Sequence, residues 1–180
     1  MTRRMIAGPD FSGAPLTDLK QWLAIGTVQD DALLQRLLAA AHHHCEQFTG
    51  LVALASTFEE QLGIRLGGTG LATRPVTAIT AVELLAIDGS RALLDADAYE
   101  ICLDGDGAAL VRLADSTLDK RLVVRCDAGL ATDWAALAPG LAEGILRLAA
   151  HLYRQRDGDT APTPPSAVAA LWRPYRRLSL

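Results

Sequence analysis

Residues 27–50 read TVQDDALLQRLLAAAHHHCEQFTG, and the fold is read outward from them. Leu34, Leu37, Leu38, Ala41, Cys45 and Phe48 recur at helical spacing and so share one face. Thr27 and Asp30 have the spacing of a capping box, with Asp in place of the usual Glu. Thr49-Gly50 is a stop signal. The spacing predicts one amphipathic helix over 28–49, about six turns at roughly 3.6 residues each. Upstream, Leu16, Leu19, Trp22 and Leu23 share a face of a shorter helix over 17–25, with Thr17 as its N-cap and Gly26 at its end. The two segments read as a helical hairpin.

Beyond Gly50 the punctuation changes. Gly, Asp and Thr separate short β-like runs at Ser56–Leu62, Ile64–Leu66, Ile79–Ile87, Tyr99–Leu103, Ala109–Leu113 and Arg121–Cys126. Asp88-Gly89 and Asp104-Gly105-Asp106-Gly107 are turn signals. Residues 51–130 are therefore expected to form a small antiparallel β region. Pro139 then opens a third helix over 139–156, with Leu141, Ile145, Leu148 and Leu152 on one face and Arg154 and Arg156 in the last turn.

The expected fold class is α+β. It is a helical hairpin plus a long C-terminal helix packed together, with a small antiparallel β region inserted and an extended C-terminal tail. Residues 1–15, with Gly8, Pro9, Gly13 and Pro15, read as an irregular arm. Residues 16–157 form the body, and 158–180 are a Pro-rich linker and tail.

Composition supports a packed body. The chain has 180 residues, half of them apolar, and 61 of those are Ala or Leu. Charged residues are 21%, so by composition the body is not intrinsically disordered. The longest uncharged runs, 47–58 and 160–172, are too short or too Pro-rich to span a bilayer. The N-terminal MTRRMIAGPDF lacks the apolar run of a secretory signal. Cys45, Cys102 and Cys126 are odd in number and widely spaced, which argues against a disulfide framework. Charge is uneven: residues 1–139 carry −7 and residues 140–180 carry +3. An acidic body disfavours nonspecific binding to nucleic acid.

No constellation points to catalysis. His42-His43-His44-Cys45 offers metal-ligand types, yet neighbouring helical residues point about 100° apart, so at most two could meet one ion. Asp104–Gly107 opens like a calcium loop but is followed by Ala108, Ala109 and Leu110, so a hairpin turn is expected. The Gly67–Gly70 stretch lacks the Lys of a phosphate loop. Glu59-Glu60 and Asp95/Asp97 read as solvated faces. No cofactor and no metal are expected, and no enzyme.

The tail differs. Leu171, Trp172, Arg173, Tyr175 and Arg176 are the residue types that dominate interface energetics. Beyond a linker they would expose apolar area for no gain, so the segment reads as a docking peptide that a partner completes. Three stretches, in order, then carry a resemblance: Leu16-Thr17-Asp18-Leu19 through Phe48-Thr49-Gly50, then Arg74-Pro75-Val76 leading to Ile79, and Pro165 through Leu171-Trp172-Arg173-Pro174-Tyr175-Arg176 after the Pro139 helix. In these the chain resembles the head-to-tail connector (adaptor) proteins of long-tailed bacteriophages and gene transfer agents.

That resemblance implies a non-enzymatic ring subunit, usually dodecameric, between the portal and the stopper or tail-completion protein. The ring would extend the channel through which DNA passes without specific binding. The setting it implies is the head-tail interface of a virion or phage-like particle assembled in the bacterial cytoplasm, with no membrane partner. Residues 16–157 would be the connector domain, and Leu171, Trp172, Arg173, Tyr175 and Arg176 the portal-docking residues. The alternative reading is a DNA-packaging accessory that binds nucleic acid through the basic tail.

Overall fold

The computed structural model describes residues 2–114, 120–155 and 165–177. Residues 27–50 form their helix from Asp31 to Thr49 (α2). Gly50 closes it in the left-handed conformation at φ 75°, with its N–H donating to Glu46 O at 2.8 Å. The capping box is not formed: Asp30 is the N-cap and makes no side-chain cap bond. The preceding helix α1 spans Ala14–Leu23, starting earlier than expected because Pro15 occupies its first turn. It ends at Ala24, which takes a left-handed φ of 56°, and not at Gly26. The helix α3 spans Pro139–Arg154 and α4 spans Ser166–Trp172, followed by a 3-10 turn over Arg173–Tyr175.

The strands are β1 (Thr2–Ala7), β2 (Ser56–Gly63), β3 (Thr69–Gly70), β4 (Val76–Leu85), β5 (Arg91–Leu93), β6 (Tyr99–Leu103), β7 (Ala109–Leu113) and β8 (Arg121–Ala128). They build a five-stranded sheet of order β1-β2-β8-β4-β5 and a three-stranded sheet of order β3-β7-β6. All their pairings are antiparallel.

The expected architecture is overturned. Among the described residues there are four α-helices and eight strands in two sheets, so the chain mixes helix and strand but is not a helical hairpin with one long C-terminal helix and a small β insert. Two expectations failed for physical reasons. The start of the chain, expected to be an irregular arm, supplies edge strand β1, because Arg3 sits opposite Glu60 and lies over the Phe58 ring at 3.9 Å. Residues 165–177, expected in an extended tail, are not extended either. The helix α4 lies in the helical core, where Val168 and Trp172 are buried. Arg156 and, of the linker and tail expected over 158–180, residues 158–164 and 178–180 lie outside the described residues.

The chain forms two compact units, Met1–Gly8 with Ala55–Leu130 and Pro9–Leu54 with Ala131–Leu180. In the first, β8 is flanked by β2 and β4, so Leu122, Val123, Val124, Cys126 and Ala128 are buried nearly without alternation. Glu59 and Glu60 were expected on solvated faces; both are buried. Glu60 is fully buried, and its carboxylate accepts N–H bonds from Thr73 (2.7 Å) and Ala72 (3.0 Å). The Arg3 Nε–H donates to Thr73 Oγ1 at 2.7 Å, so the same loop also holds β1. Glu59 accepts a forked pair of bonds from Arg91 at 3.0 and 3.1 Å, which is chiefly what holds its carboxyl below the usual range. Gly107, at φ 76°, lets the β6–β7 hairpin approach Pro75, whose Cα would lie 2.6 Å from an added Cβ. In the second unit, Leu19, Leu34, Leu38, Ala41, Cys45, Leu141, Ile145, Leu148 and Ala149 form the centre of the core. Each large aliphatic side chain buried there is worth about 1.5–3 kcal/mol.

Candidate functional site

The residues with interface chemistry lie at the chain's end, and the helical unit shapes how they are presented. Pro165 starts α4 as its N-cap, and Pro174 sits in the 3-10 turn that ends the segment. Between them Trp172 is fully buried. Its indole enters the groove of α3 at Gly144, where an added Cβ would overlap the indole Nε1 and lie 2.7 Å from Cε2. The indole N–H reaches Leu141 O at a long 3.5 Å, and the ring meets Phe48 with centroids 5.9 Å apart. Tyr175 covers Gly140, one helical turn earlier, where an added Cβ would be 3.2 Å from the phenol oxygen.

The five residues expected to dock therefore divide. Trp172 is an internal anchor, Leu171 and Tyr175 are half-buried against the same core, and Arg173 and Arg176 are exposed. The Arg176 guanidinium also lies 5.7 Å from the Phe48 ring centroid, and the Arg177 N–H donates to Thr49 O at 3.0 Å. The segment is thus fixed to the ends of α2 and α3, with Arg173 and Arg176 exposed and Trp172 turned into the core.

Gly140 and Gly144 are packing positions, not foreseen in the sequence, that make room for Tyr175 and Trp172. The available signal was two glycines four residues apart on a helix that also carries a buried face, followed downstream by Trp and Tyr.

The other candidates resolve differently. His42 is buried, its Nε2 accepts the Leu54 N–H at 3.3 Å, and its ring meets Phe11 at 5.7 Å. Burial first, and His43 second, push its pKa down to about 4. Burial first, and Glu46 second, push the Cys45 thiol up to about 12, so it is a poor thiolate donor. His43 is exposed and bonds Gln47 at 3.0 Å. Among the described residues no three His, Cys, Asp or Glu converge to hold a metal ion. Asp104–Gly107 is a hairpin turn, closed by Asp104 N to Ala108 O at 2.9 Å and Gly107 N to Asp104 O at 2.9 Å. No described helix is long and apolar enough to cross a membrane.

Comparison with known proteins places this geometry. Residues 14–91 match the family model of the phage gp6-like head-tail connector proteins, so the resemblance read from the sequence holds over that stretch. No curated protein matches the chain. Among solved structures, a chain in the neck of an empty gene transfer agent particle, computed with C6 symmetry, superposes at a TM-score of 0.79 with 23% identity. A chain in the native particle's neck, computed with C12 symmetry, also gives 0.79 at 23%, and one in the native virion gives 0.78 at 23%. Each match covers 100% of this chain and 97% of the other. This chain shares its fold with each of the three over its whole length and 97% of theirs.

Proposed function

We propose that this chain is a structural head-tail adaptor, a ring subunit at the neck of a phage-like particle. The observation that carries the reading is the fold shared end to end with chains of a gene transfer agent neck, together with the connector-family match over residues 14–91. The C6 and C12 symmetry of those necks supports a homo-oligomeric ring. The role is one of assembly and not of catalysis.

The ring's upper partner is the portal and its lower partner a stopper or tail-completion protein. The portal contact is made by the C-terminal segment: Arg173 and Arg176 reach out, Leu171 and Tyr175 flank them, and Trp172 fixes the segment to its own subunit. Many such contacts in a ring act together, so each can be weak. DNA crosses a channel whose acidic lining, supplied by a body of charge −7 over residues 1–139, gives the polyanion little to hold.

The test is removal of the gene from a particle-producing strain. The expected result is filled heads and separate tails that fail to join, with joining restored by the purified chain. Normal tailed particles in its absence would refute the reading.

A further inference from the structure

A closed ring repeats a heterologous contact, so each subunit must carry two different complementary surfaces. Among the described residues, the sheet unit has two terminal strands of five or six residues with one side unpaired. In the five-stranded sheet β1 pairs with β2 on one side and is the terminal strand, and β6 holds the same position beside β7 in the three-stranded sheet. A terminal strand presents a row of backbone N–H and C=O groups, a ready template for another strand. The remaining terminal strands, β3 and β5, have two and three residues and offer little length.

The edges fit one another. Their lengths are six and five residues. The register of β6 runs without a shift, and the irregularity of β1 falls between Met5 and Ala7, leaving Thr2–Met5 regular. Both expose apolar side chains: Met5 (42%) and Ile6 (41%) on β1, Ile101 (37%) and Leu103 (47%) on β6. Their charges are opposite, with exposed Arg4 on β1 and exposed Asp97 and Asp104 beside β6, while Glu100 of β6 is paired with Arg112 of β7 at 3.0 Å. Pairing β1 with β1 would be isologous and would stop at two copies.

We propose that β1 of one copy adds to the open edge of β6 of the next, and that this strand addition is a subunit contact of the ring. The inference rests on the adaptor reading above and names the surface that closes it.

The test uses the full chain with Cys102→Ala, carrying Met5→Cys on one copy and Ile101→Cys on another, mixed and oxidised at high concentration. Cys45 and Cys126 are buried and stay out of the reaction. The expected product is a mixed disulfide between positions 5 and 101, about tenfold above the self-dimers of either variant. Arg4→Glu and Asp97→Arg should each lower it about threefold, the size of an exposed ion pair, and together restore it. Self-dimers in excess, or no mixed product, would overturn the edge pairing. Binding of the same preparation to portal-bearing heads is measured alongside. Binding without the mixed disulfide sinks the edge contact alone, and absence of binding sinks the adaptor reading beneath it.

Discussion

Gly144→Ala reverses the usual sign of a familiar substitution. In a helix interior, Gly→Ala stabilises by about 1 kcal/mol. At Gly144 the new methyl would occupy the space of the Trp172 indole. The neighbour is a rigid ring held between α3 and Phe48, so it cannot move aside by a few tenths of an ångström. Displacing it forfeits a contact worth roughly 3–5 kcal/mol, the usual cost of truncating a buried aromatic. The net expectation is destabilisation by about 2–4 kcal/mol, since the helix gain offsets roughly 1. For a chain of this size each kcal/mol moves Tm by about 2–4 °C. The assay is thermal and urea unfolding of four proteins: the unsubstituted chain, Gly144→Ala, Trp172→Ala and the double variant. In the Trp172→Ala background, Gly144→Ala should return to stabilising, which the coupling energy of the cycle reads directly. A Gly144→Ala variant as stabilising in the intact chain as beside Trp172→Ala would refute the docked indole.

Three further outcomes are expected. His42 stays neutral in the fold with a pKa of about 4, below the ordinary 6.5, so protons bind the unfolded chain first as pH falls. Stability should then be full above pH 6.5 and decline between 6.5 and about 4, by about 3 kcal/mol in all, and His42→Phe should flatten that slope in urea midpoints taken across pH. Glu60→Gln replaces an acceptor of two backbone N–H groups with an amide that can serve one of them, so urea unfolding should show a loss of about 1–3 kcal/mol at unchanged m. Arg173→Glu with Arg176→Glu should abolish co-sedimentation with portal-bearing heads while costing less than about 1 kcal/mol of stability, the ring contact of Arg176 included. Retained binding would remove these arginines from the portal contact. A shallower salt dependence of DNA binding, in its place, would favour the nucleic-acid arm.

The parts of the fold legible in the sequence are those with strong local codes. The periodicity of Leu34, Leu38, Ala41 and Cys45 located α2 to within a few residues, and Pro139 placed the start of α3. Asp88-Gly89 and Asp104–Gly107 are turns because Gly89 and Gly107 take positive φ there. What was illegible depends on partners distant in sequence. Edge strand β1 is held by Arg3 reaching Thr73, seventy residues on, and nothing within MTRRMIAGPDF signals that bond. Adjacent carboxylates look solvated until Glu60 meets the Ala72 and Thr73 amides and Glu59 meets Arg91.

At the candidate segment, composition misread the state of the aromatic residues, since Trp172 is buried in its own subunit. Aromatic and basic residues after a Pro-rich stretch resemble an unfinished peptide. The groove that completes it is made by the absence of side chains at Gly140 and Gly144, and a missing side chain leaves no apolar mark in a periodicity count.

The most direct measurement is a cryo-electron-microscopy reconstruction of the neck of particles that contain this chain. The expected reconstruction shows a ring of copies between portal and tail, with Arg173 and Arg176 at the portal boundary and Trp172 seated against Gly144 of its own subunit. A neck in which this chain is absent, or present as isolated copies away from the portal, would contradict it.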